Sequence, residues 1–352
     1  MIGKLYGMAT PARREPTNSG RPANRFDGDR RTFEMDALAE VAGIGDGDPC
    51  DGVFRSVLER AETGDRVLFR DGIFRFEELH AIGTALTIDG GGATIEFADA
   101  GGFHFRGSHY NGASPATSTR AAGPIREDER RIDVVSTAGF TAGDHLLIET
   151  PYEGWSGRHP LRAGSGYGCQ IARVASVTDS GLVVERATRT GFGDEGGDES
   201  RAEIHRLDPL VGPVFREVTT VGGDVPLRME SCVDSLFERC EVSGYGEYGH
   251  RIDYCLGTVL DEPHITDPRD STDDRGVALQ VSHSTDTRID APRIDGARHG
   301  IDLAGGAFGV EIADPVIARA SSRAISACGG AACVGDIVVD GVEIGSDDRP
   351  TP

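Results

Sequence analysis

The sequence predicts an all-β fold: a right-handed parallel β-helix, or solenoid, with an N-terminal capping helix and an inserted small antiparallel β-domain. Three features support this prediction: short repeats in the C-terminal third, alternation of apolar and polar residues, and glycine-rich turns between the apolar segments. Alternation with a period near two indicates strands rather than helices. A repeat of roughly two dozen residues that holds two or three strands is typical of one solenoid coil.

The repeats are clearest between residues 226 and 346. Five short segments have Cys, Pro or Gly near their middle, and these marker positions are separated by 23, 29, 23 and 26 residues. The markers are Cys240, Pro263, Pro292, Pro315 and Gly341. A second apolar segment precedes each marker segment, in the ranges 226–232, 250–255, 277–283, 301–306 and 324–330. Neighbouring coils would pair these segments as parallel strands and stack their inward side chains, including Cys232 on Cys255.

The N-terminal region resembles a known family. Residues 51–65 form an amphipathic pattern that predicts a helix, with Asp51 as its N-cap and Gly64 at its end. "GDRVLFRDGIFRF" and "LTIDGGGATI" follow, and "GIGDGDPCDG" precedes them. This order resembles the entry segment of the pectate-lyase-like β-helix superfamily, which includes polysaccharide lyases, glycoside hydrolases and many viral tail spikes. The resemblance covers about residues 35–125 and 213–346; it implies a helix that caps the open solenoid end and leaves the activity open.

Five regions follow from these patterns. They are an extended N-terminal arm (1–32), the capping helix and first coils (33–125), an inserted β-rich subdomain (126–212), the main coils (213–346) and a C-terminal tail (347–352). The insertion is predicted because its segments alternate like antiparallel strands joined by Gly and Asp turns. Its "AGFTAGDHLLI" segment resembles a small β-domain inserted in several members of the same superfamily.

The charge is strongly acidic. The formal net charge is −22, the sequence pI is about 4.8, and Lys4 is the only lysine. Dispersed acidic charge keeps a protein soluble when salt screens it, which predicts a halophilic archaeon or its virus as the source. The negative net charge argues against nucleic-acid binding. No apolar run is long enough for membrane insertion, and the N-terminus fits neither a Sec nor a twin-arginine signal peptide.

The sequence predicts no cofactor and no metal site. The seven cysteines are irregularly spaced without a CxxC pair, which is not the pattern of a structural zinc site. His264, His283 and His299 fall on nearby coils without a repeating ligand spacing. Ca²⁺ or another cation held by surface carboxylates is the alternative that the acidic composition leaves open.

The candidate catalytic residues lie in the range 250–276, within the coil whose marker spacing is 29 residues: Asp253, Asp261, Glu262, His264 and Arg269. Paired carboxylates could act as general acid and base on a glycosidic bond. Alternatively, carboxylates could hold Ca²⁺ while Arg or His removes a sugar proton. "DPRD" (267–270) is similar to a motif of alginate epimerases, with Arg in place of the expected His. The competing interpretation is a solvated acidic surface with Arg–Asp pairs.

The candidate glycan-binding residues lie in a polar and aromatic loop at 151–168: Tyr152, Trp155, His159 and Tyr167. Exposed aromatic side chains stack on the faces of sugars. The competing interpretation is a loop that packs onto the solenoid with Trp155 as its anchor.

Two functions follow from these features. The first is a virion surface appendage, a tail spike or fibre, that contacts a host surface glycan or glycoprotein. The second is a polysaccharide lyase, glycoside hydrolase or epimerase that acts on acidic surface polysaccharide and is exported by a non-classical route. The missing signal peptide favours the virion. The locally basic arm (1–32) would then attach to other virion proteins, and a homotrimer along the solenoid sides is left open, as is enzymatic activity.

Overall fold

A computed structural model describes residues 30–45, 47–108, 117–149, 169–189, 191–192, 202–272, 275–327, 334–335 and 337–345. Within them, the chain winds in coils of three short strands, and equivalent strands of successive coils pair in parallel. The predicted right-handed parallel β-helix is confirmed, with its capping helix and its antiparallel insertion.

The chain enters the solenoid through one strand, two short helices and two coils. These elements are β1 (Thr32–Glu34), α1 (Met35–Val41), α2 (Asp51–Leu58), β2 (Arg66–Leu68), β3 (Ile73–Phe76), β4 (Leu79–Ile82), β5 (Thr87–Asp89), β6 (Thr94–Phe97) and β7 (Gly102–Arg106). The insertion follows with β8 (Ser118–Arg120), β9 (Arg131–Asp133), β10 (His145–Glu149), β11 (Cys169–Val177), β12 (Gly181–Val184) and β13 (Glu203–Leu207).

The solenoid then resumes and continues to the end of the described chain. Its strands are β14 (Leu210–Val211), β15 (Val214–Arg216), β16 (Thr219–Gly222), β17 (Leu227–Glu230), β18 (Cys232–Val233), β19 (Leu236–Glu238), β20 (Glu241–Ser243), β21 (Tyr248–Asp253), β22 (Val259–Asp261), β23 (His264–Thr266), β24 (Val277–Ser282), β25 (Arg288–Asp290), β26 (Arg293–Asp295), β27 (His299–Ala304), β28 (Ala307–Phe308), β29 (Glu311–Ala313), β30 (Val316–Ala318), β31 (Arg323–Ser326), β32 (Val334–Gly335), β33 (Val338–Asp340) and β34 (Glu343–Gly345).

Three long sheets form the sides of the solenoid. Sheet A has the order β1-β2-β5-β15-β19-β22-β25-β29-β33, sheet B has β3-β6-β16-β20-β23-β26-β30-β34, and sheet C has β31-β27-β24-β21-β17-β7-β4. Two small sheets, β14-β18 and β28-β32, lie at the corner that leads from sheet C back to sheet A. Every coil therefore visits sheets A, B and C in that order.

The core is a stack of like side chains. In sheet A, for example, five inward residues pair one above the other and are almost fully buried: Phe215, Phe237, Leu260, Ile289 and Ile312. Burial of one such side chain contributes about 1.5–3 kcal/mol. A single coil could not bury these residues alone, so stability depends on stacking.

The corner between sheets A and B is formed by one residue per coil in the left-handed backbone region. Its φ lies between 45° and 68° at Glu217, Arg239, Glu262, Ala291, Asp314 and Gly341. The prediction of one continuous strand at each Cys, Pro or Gly marker is therefore wrong, because the chain bends there and forms two strands in different sheets. The last spacing is also off by one: Ala313 pairs with Asp340, so Val342, 27 residues after Pro315, occupies the marker position.

The capping helix is shorter than predicted. Helix α2 ends at Leu58, and by Gly64 the chain has entered the solenoid, where the Gly64 N–H donates to the Ala85 carbonyl at 2.7 Å. The predicted N-cap is wrong, since Cys50 holds that position. The Asp51 carboxylate instead accepts hydrogen bonds from the backbone N–H groups of Glu77 and Glu78. Helix α1 precedes α2 and was not predicted.

The insertion is an antiparallel sheet with the strand order β8-β13-β10-β11-β12-β9 and a core of its own. Strand β8 lies before residue 126, where the sequence placed the start of this subdomain. A second small cluster joins the insertion to the solenoid and contains Leu147, Ile171 and Tyr254. The Ile171 N–H also donates to Thr285 Oγ1 at 3.0 Å. The insertion therefore packs on the corner that follows sheet C.

Five cysteines belong to the described part of the chain, and all are buried free thiols. Cys232 and Cys255 are fully buried and stack on neighbouring coils, as predicted. Burial and the neighbouring Cys255 raise the pKa of the Cys232 thiol well above its usual value. Neither of the two described helices is long and apolar enough to cross a bilayer.

Candidate functional site

The outward surface of sheet C carries two columns of polar side chains that run from coil to coil. The first column contains His104, Arg228, Arg251, Gln280, Asp302 and Ser326, and the second contains Arg106, Glu230, Asp253 and Ser282. We call these residues the sheet C face. Adjacent strands lie about 4.8 Å apart, so side chains of neighbouring coils contact one another.

The alternate residues of the same strands point into the solenoid, which fixes the orientation of the sheet C face. Leu227 and Leu279 pair with His250 and are fully buried. His250 itself is fully buried, with its ring 5.0 Å from that of Phe237. Burial lowers the pKa of His250 to about 3, so this ring is a neutral part of the core.

Arg228 joins two buried carboxylates at the centre of the face. Its Nη2 atom lies 2.9 Å from Glu230 Oε2 and 2.7 Å from Asp253 Oδ2. The two carboxylates expose only 6% and 3% of their side-chain surface. Arg251 Nε lies 2.8 Å from the same Asp253 oxygen, and Arg106 Nε lies 3.6 Å from Glu230 Oε1. Opposite charges therefore alternate across three successive coils.

The electrostatics of this cluster favour an ionised Asp253. Burial alone would raise its pKa, but Arg251 and Arg228 outweigh burial and hold the pKa of Asp253 below its usual value. Asp253 is in turn the main reason that the pKa of Arg251 is raised. The pairing fixes these charges in position, and the partly exposed guanidinium groups of Arg106, Arg228 and Arg251 are the ones that a ligand can reach.

The periphery of the face supplies neutral and aromatic groups. The Arg251 guanidinium lies 4.8 Å from the centre of the Tyr248 ring. Gln280 Nε2 donates to Asp302 Oδ2 at 3.0 Å. Burial lowers the pKa of His104 to about 4, so its ring is neutral at pH 7 and Nε2–H donates to the Val225 carbonyl at 2.9 Å.

Two structures border the face. The insertion packs along the corner after sheet C, where Arg189 Nη2 lies 2.8 Å from Asp286 Oδ1. On the opposite side, the long connection between β23 and β24 lies along the corner before sheet C. Arg269 in that connection pairs with Asp99 and Asp224, which occupy the equivalent connections of earlier coils.

The structure separates the predicted catalytic residues. Of the five, Asp253 belongs to the sheet C face. Asp261 points outward from sheet A, His264 is exposed on sheet B, and Glu262 is the left-handed residue between them. Arg269 belongs to the ion-pair network at the corner. These residues are close in sequence, but each turn of the chain carries them to a different side of the solenoid, so they do not form one site.

The predicted glycan-binding residues Tyr152, Trp155, His159 and Tyr167 lie outside the described residues. The chain leaves the described region at Glu149 and re-enters it at Cys169. Cys169 is next to the solenoid, with Sγ 3.9 Å from the Gly305 carbonyl. Both ends of this segment therefore lie in the part of the insertion that packs beside sheet C.

Sequence analysis missed most of the sheet C face, notably Arg106, Arg228, Glu230, Gln280 and Asp302. The sequence does contain a signal for these residues. Apolar and polar residues alternate at the ends of three equivalent segments, "LRME", "HRID" and "ALQVS". The coil-to-coil register needed to align those polar residues is a long-range property. The sequence of one coil therefore does not reveal a site whose residues come from several coils.

Comparisons with known proteins give a structural match without a sequence match. No family model and no curated protein matches the chain. Among solved structures, it is similar to the Gp54 tailspike of Acinetobacter baumannii bacteriophage AP22, solved in complex with A. baumannii capsular saccharide. The TM-score is 0.66 and the identity is 15%, over 82% of this chain and 47% of that chain. The fold is that of a phage tail spike.

Two Pseudomonas phage tail spikes also match. The gp61 tail spike of phage phi297 has a TM-score of 0.49 at 12% identity, over 91% of this chain and 49% of that chain. The gp49 tail spike of phage LKA1 has a TM-score of 0.43 at 15% identity, over 76% of this chain and 52% of that chain. The chain thus spans about half the length of the spikes that it matches.

Proposed function

We propose that the chain is a tail-spike protein of a virion and binds a host surface glycan on the sheet C face. The observation that carries the proposal is the pair of polar columns, in which buried charges are held in register across several coils. A polysaccharide presents a regular repeat of hydroxyl groups, to which acidic polymers add carboxylates. A surface that repeats donors and acceptors every 4.8 Å or so is suited to bind it along its length.

The similarity to the AP22 tailspike supports the proposal through the fold, because that protein was solved with a capsular saccharide. The borders of the sheet C face add a second line of support. The insertion and the connection between β23 and β24 rise on either side of it, and loops beside a rigid scaffold commonly supply binding contacts.

The test is binding of the full chain to immobilised polysaccharides by biolayer interferometry. The probes are purified bacterial capsular polysaccharides, acidic and neutral, and surface glycans of haloarchaea. We expect at least one probe to bind, and Gln280→Ala combined with Asp302→Asn to weaken that binding at least tenfold, since each good polar contact contributes on the order of 1 kcal/mol.

The matched control is Glu241→Gln combined with Thr266→Ala, which changes two outward residues of sheet B. This control should bind as the unmodified chain does. Equal loss in both variants, or binding that survives the sheet C substitutions, would place the glycan elsewhere. If no probe binds, the chain has a structural role in the particle.

A polysaccharide-cleaving enzyme is a second candidate, favoured by the arrangement of Glu230 and Asp253. Arg228 Nη2 contacts Oε2 of Glu230 and Oδ2 of Asp253. The distance between these two carboxylate oxygens therefore cannot exceed the sum of the two contact distances. Retaining glycosidases place their two carboxyl groups about 5–5.5 Å apart, a separation that this upper limit permits. Size-exclusion analysis of a bound polysaccharide after incubation tests this: cleavage that is lost in Glu230→Gln supports the enzyme, whereas intact polymer contradicts it.

The remaining parts of the proposal concern the particle and its environment. We infer a virus of a high-salt host from the charge of −22 and the single lysine. We also propose that the basic N-terminal arm (1–32) attaches to other virion proteins and that copies of the chain trimerise along the solenoid. Light scattering of the purified chain tests the trimer, because a trimeric mass is required.

A further inference from the structure

We propose that the insertion binds a divalent transition-metal ion between Glu149, Glu203 and His205. This site shares no residue with the sheet C face. It lies at one end of the antiparallel sheet, where strands β10 and β13 run side by side.

The strand register brings the three side chains together. Glu149 and Glu203 are direct partners on β10 and β13, and His205 lies two residues along β13, opposite Leu147. Residues two apart on a strand share a face of the sheet, so all three side chains project from the same face. That face is the one on which Leu147 packs toward the solenoid residue Tyr254.

The donor atoms already converge. His205 Nε2 lies 2.9 Å from Glu149 Oε1 and 3.6 Å from Glu203 Oε2, and one ligand atom from each residue lies within 4.8 Å of the others. Ligands bound at about 2.0–2.2 Å from one ion have mutual separations of this size. A small movement of the His205 ring away from Glu149 would admit the ion.

Charge and burial favour a cation at this point. Glu149 is 7% exposed and His205 is 4% exposed, whereas the Glu203 side chain is 33% exposed and its Oε1 lies 3.4 Å from Arg120 Nη2, which leaves Oε2 directed at His205. A divalent ion would take one oxygen of Glu149, Oε2 of Glu203 and the imidazole of His205 as its three protein ligands. The nitrogen donor favours Zn²⁺ or Co²⁺ over Ca²⁺ and Mg²⁺, which prefer oxygen ligands.

The location gives the ion a structural consequence. Glu149 is the last residue of β10, immediately before the 150–168 segment. An ion shared by Glu149 and the two β13 residues would fasten the end of β10 to β13.

The test is isothermal titration of the full chain with ZnCl₂ after removal of metals by chelation, in 1 M NaCl to suppress non-specific binding by the acidic surface. We expect one tight site, a rise in melting temperature on Zn²⁺ addition, and little effect of CaCl₂ or MgCl₂. Glu203→Gln and His205→Gln should each weaken Zn²⁺ binding at least about tenfold, as expected for loss of a ligand.

The matched control is Glu241→Gln combined with His264→Gln. Glu241 and His264 are also direct partners on neighbouring strands, but both are exposed on sheet B. This variant should retain the tight site. A second measurement is the visible spectrum of bound Co²⁺, which should be lost in His205→Gln even though circular dichroism shows that the variant is folded.

Three outcomes would overturn the proposal: no saturable binding of Zn²⁺ or Co²⁺, binding unchanged in the Glu203 and His205 variants, or binding lost equally in the control. In each case the cluster is a hydrogen-bonded His–Glu group without an ion. None of these outcomes decides whether the sheet C face binds a glycan, because that binding is measured with polysaccharide probes and with substitutions in sheet C.

Discussion

Asp253 shows how a single buried carboxylate can organise a candidate binding surface. It ends strand β21, is nearly inaccessible, and contacts the guanidinium groups of Arg228 and Arg251. Burial of a charge is costly unless the charge is paired with good geometry. The arginines of two coils supply that pairing, so the outward surface of sheet C is held together by charges as its inner surface is by apolar contacts.

We predict that Asp253→Asn lowers stability at pH 7 by about 3–5 kcal/mol, since it leaves two partly buried arginines without their partner. The pKa of Asp253 is lowered in the folded chain. Its stabilisation is therefore complete above the unfolded value of about 3.9 and is lost as pH falls through the folded pKa. Urea unfolding from pH 7 to pH 2 should show the unmodified and variant curves converging at the acid end.

The control for this prediction is Asp133→Asn, since Asp133 is 62% exposed in its pair with Arg131. It should change stability by less than about 1 kcal/mol at every pH. A difference between the Asp253 variant and the unmodified chain that persists undiminished at pH 2 would mean that its cause is packing, not charge.

The candidate site was only partly predictable from the sequence, for a reason visible at single residues. Asp253 was recognised because it stands in an unusually long coil. Glu230 and Arg228 were missed because they belong to the previous coil and meet Asp253 only through the sheet C register. Asp261 and His264 were included because they are near in sequence, although two bends carry them to other faces.

The corners are the elements that give the solenoid its cross-section. Each is built from a residue with positive φ that recurs in register, and glycine is used where a side chain would also collide. Gly222, at the end of β16, has φ of 87°, and a Cβ atom there would lie 2.3 Å from the Phe97 carbonyl oxygen of the coil before. Stacking leaves no room for that atom.

We predict that Gly222→Ala destabilises the chain by about 2–4 kcal/mol, which combines the left-handed backbone penalty with the steric cost of overpacking. Gly143→Ala is the matched variant: its φ is 94°, but nothing lies within 4 Å of the added Cβ. It should cost only about 1–2 kcal/mol. Chemical denaturation of both variants gives the difference, and equal losses would show that the contact with Phe97 relaxes at no cost.

Helix α2 is the element that closes the N-terminal end of the core. Phe54 is fully buried, with its ring 4.6 Å from the Phe103 ring and 4.9 Å from the His80 ring. His80 is in turn fixed by Asp51, whose Oδ1 lies 2.8 Å from Nε2. The cap is therefore joined to the first two coils by both apolar and polar contacts.

We predict that Phe54→Ala lowers the free energy of unfolding by about 3–5 kcal/mol, the usual cost of removing a buried aromatic side chain. The neighbouring Arg55→Ala should cost less than about 1 kcal/mol, because the Arg55–Glu78 pair is more than half exposed on both sides. Thermal and urea unfolding measure both changes. A small loss for Phe54→Ala would indicate that the solenoid does not need its cap.

At the scale of the whole molecule, the fold followed from the sequence because a solenoid repeats its signal. Inward residues such as Phe237, Leu260 and Ile289 alternate with polar residues in every coil, and turn residues separate the segments. The predictions that were wrong concern local or irregular features: the bend beside Pro263 inside an apparently continuous strand, and the end of helix α2. Alternation does not reveal a single left-handed residue, since apolar positions continue on both sides of the bend.

The net charge of −22 is a property of the whole surface, and it determines how the molecule responds to salt. Many of the carboxylates are exposed, and at low ionic strength their mutual repulsion opposes the folded state. Raising NaCl from 0.1 M to 1 M shortens the screening length from about 10 Å to about 3 Å. We therefore predict that the melting temperature rises by on the order of 5 °C over this range.

NaCl is the appropriate salt because sulfate would also strengthen apolar burial. The matched control is a variant in which exposed carboxylates of several faces are neutralised: Asp99→Asn, Asp133→Asn, Glu241→Gln and Asp340→Asn. This variant has less charge to screen, so it should melt higher than the unmodified chain at 0.1 M NaCl and gain less from added salt. A melting temperature that stays flat or falls with NaCl in the unmodified chain would mean that local Arg–carboxylate pairs, which salt weakens, outweigh the long-range repulsion.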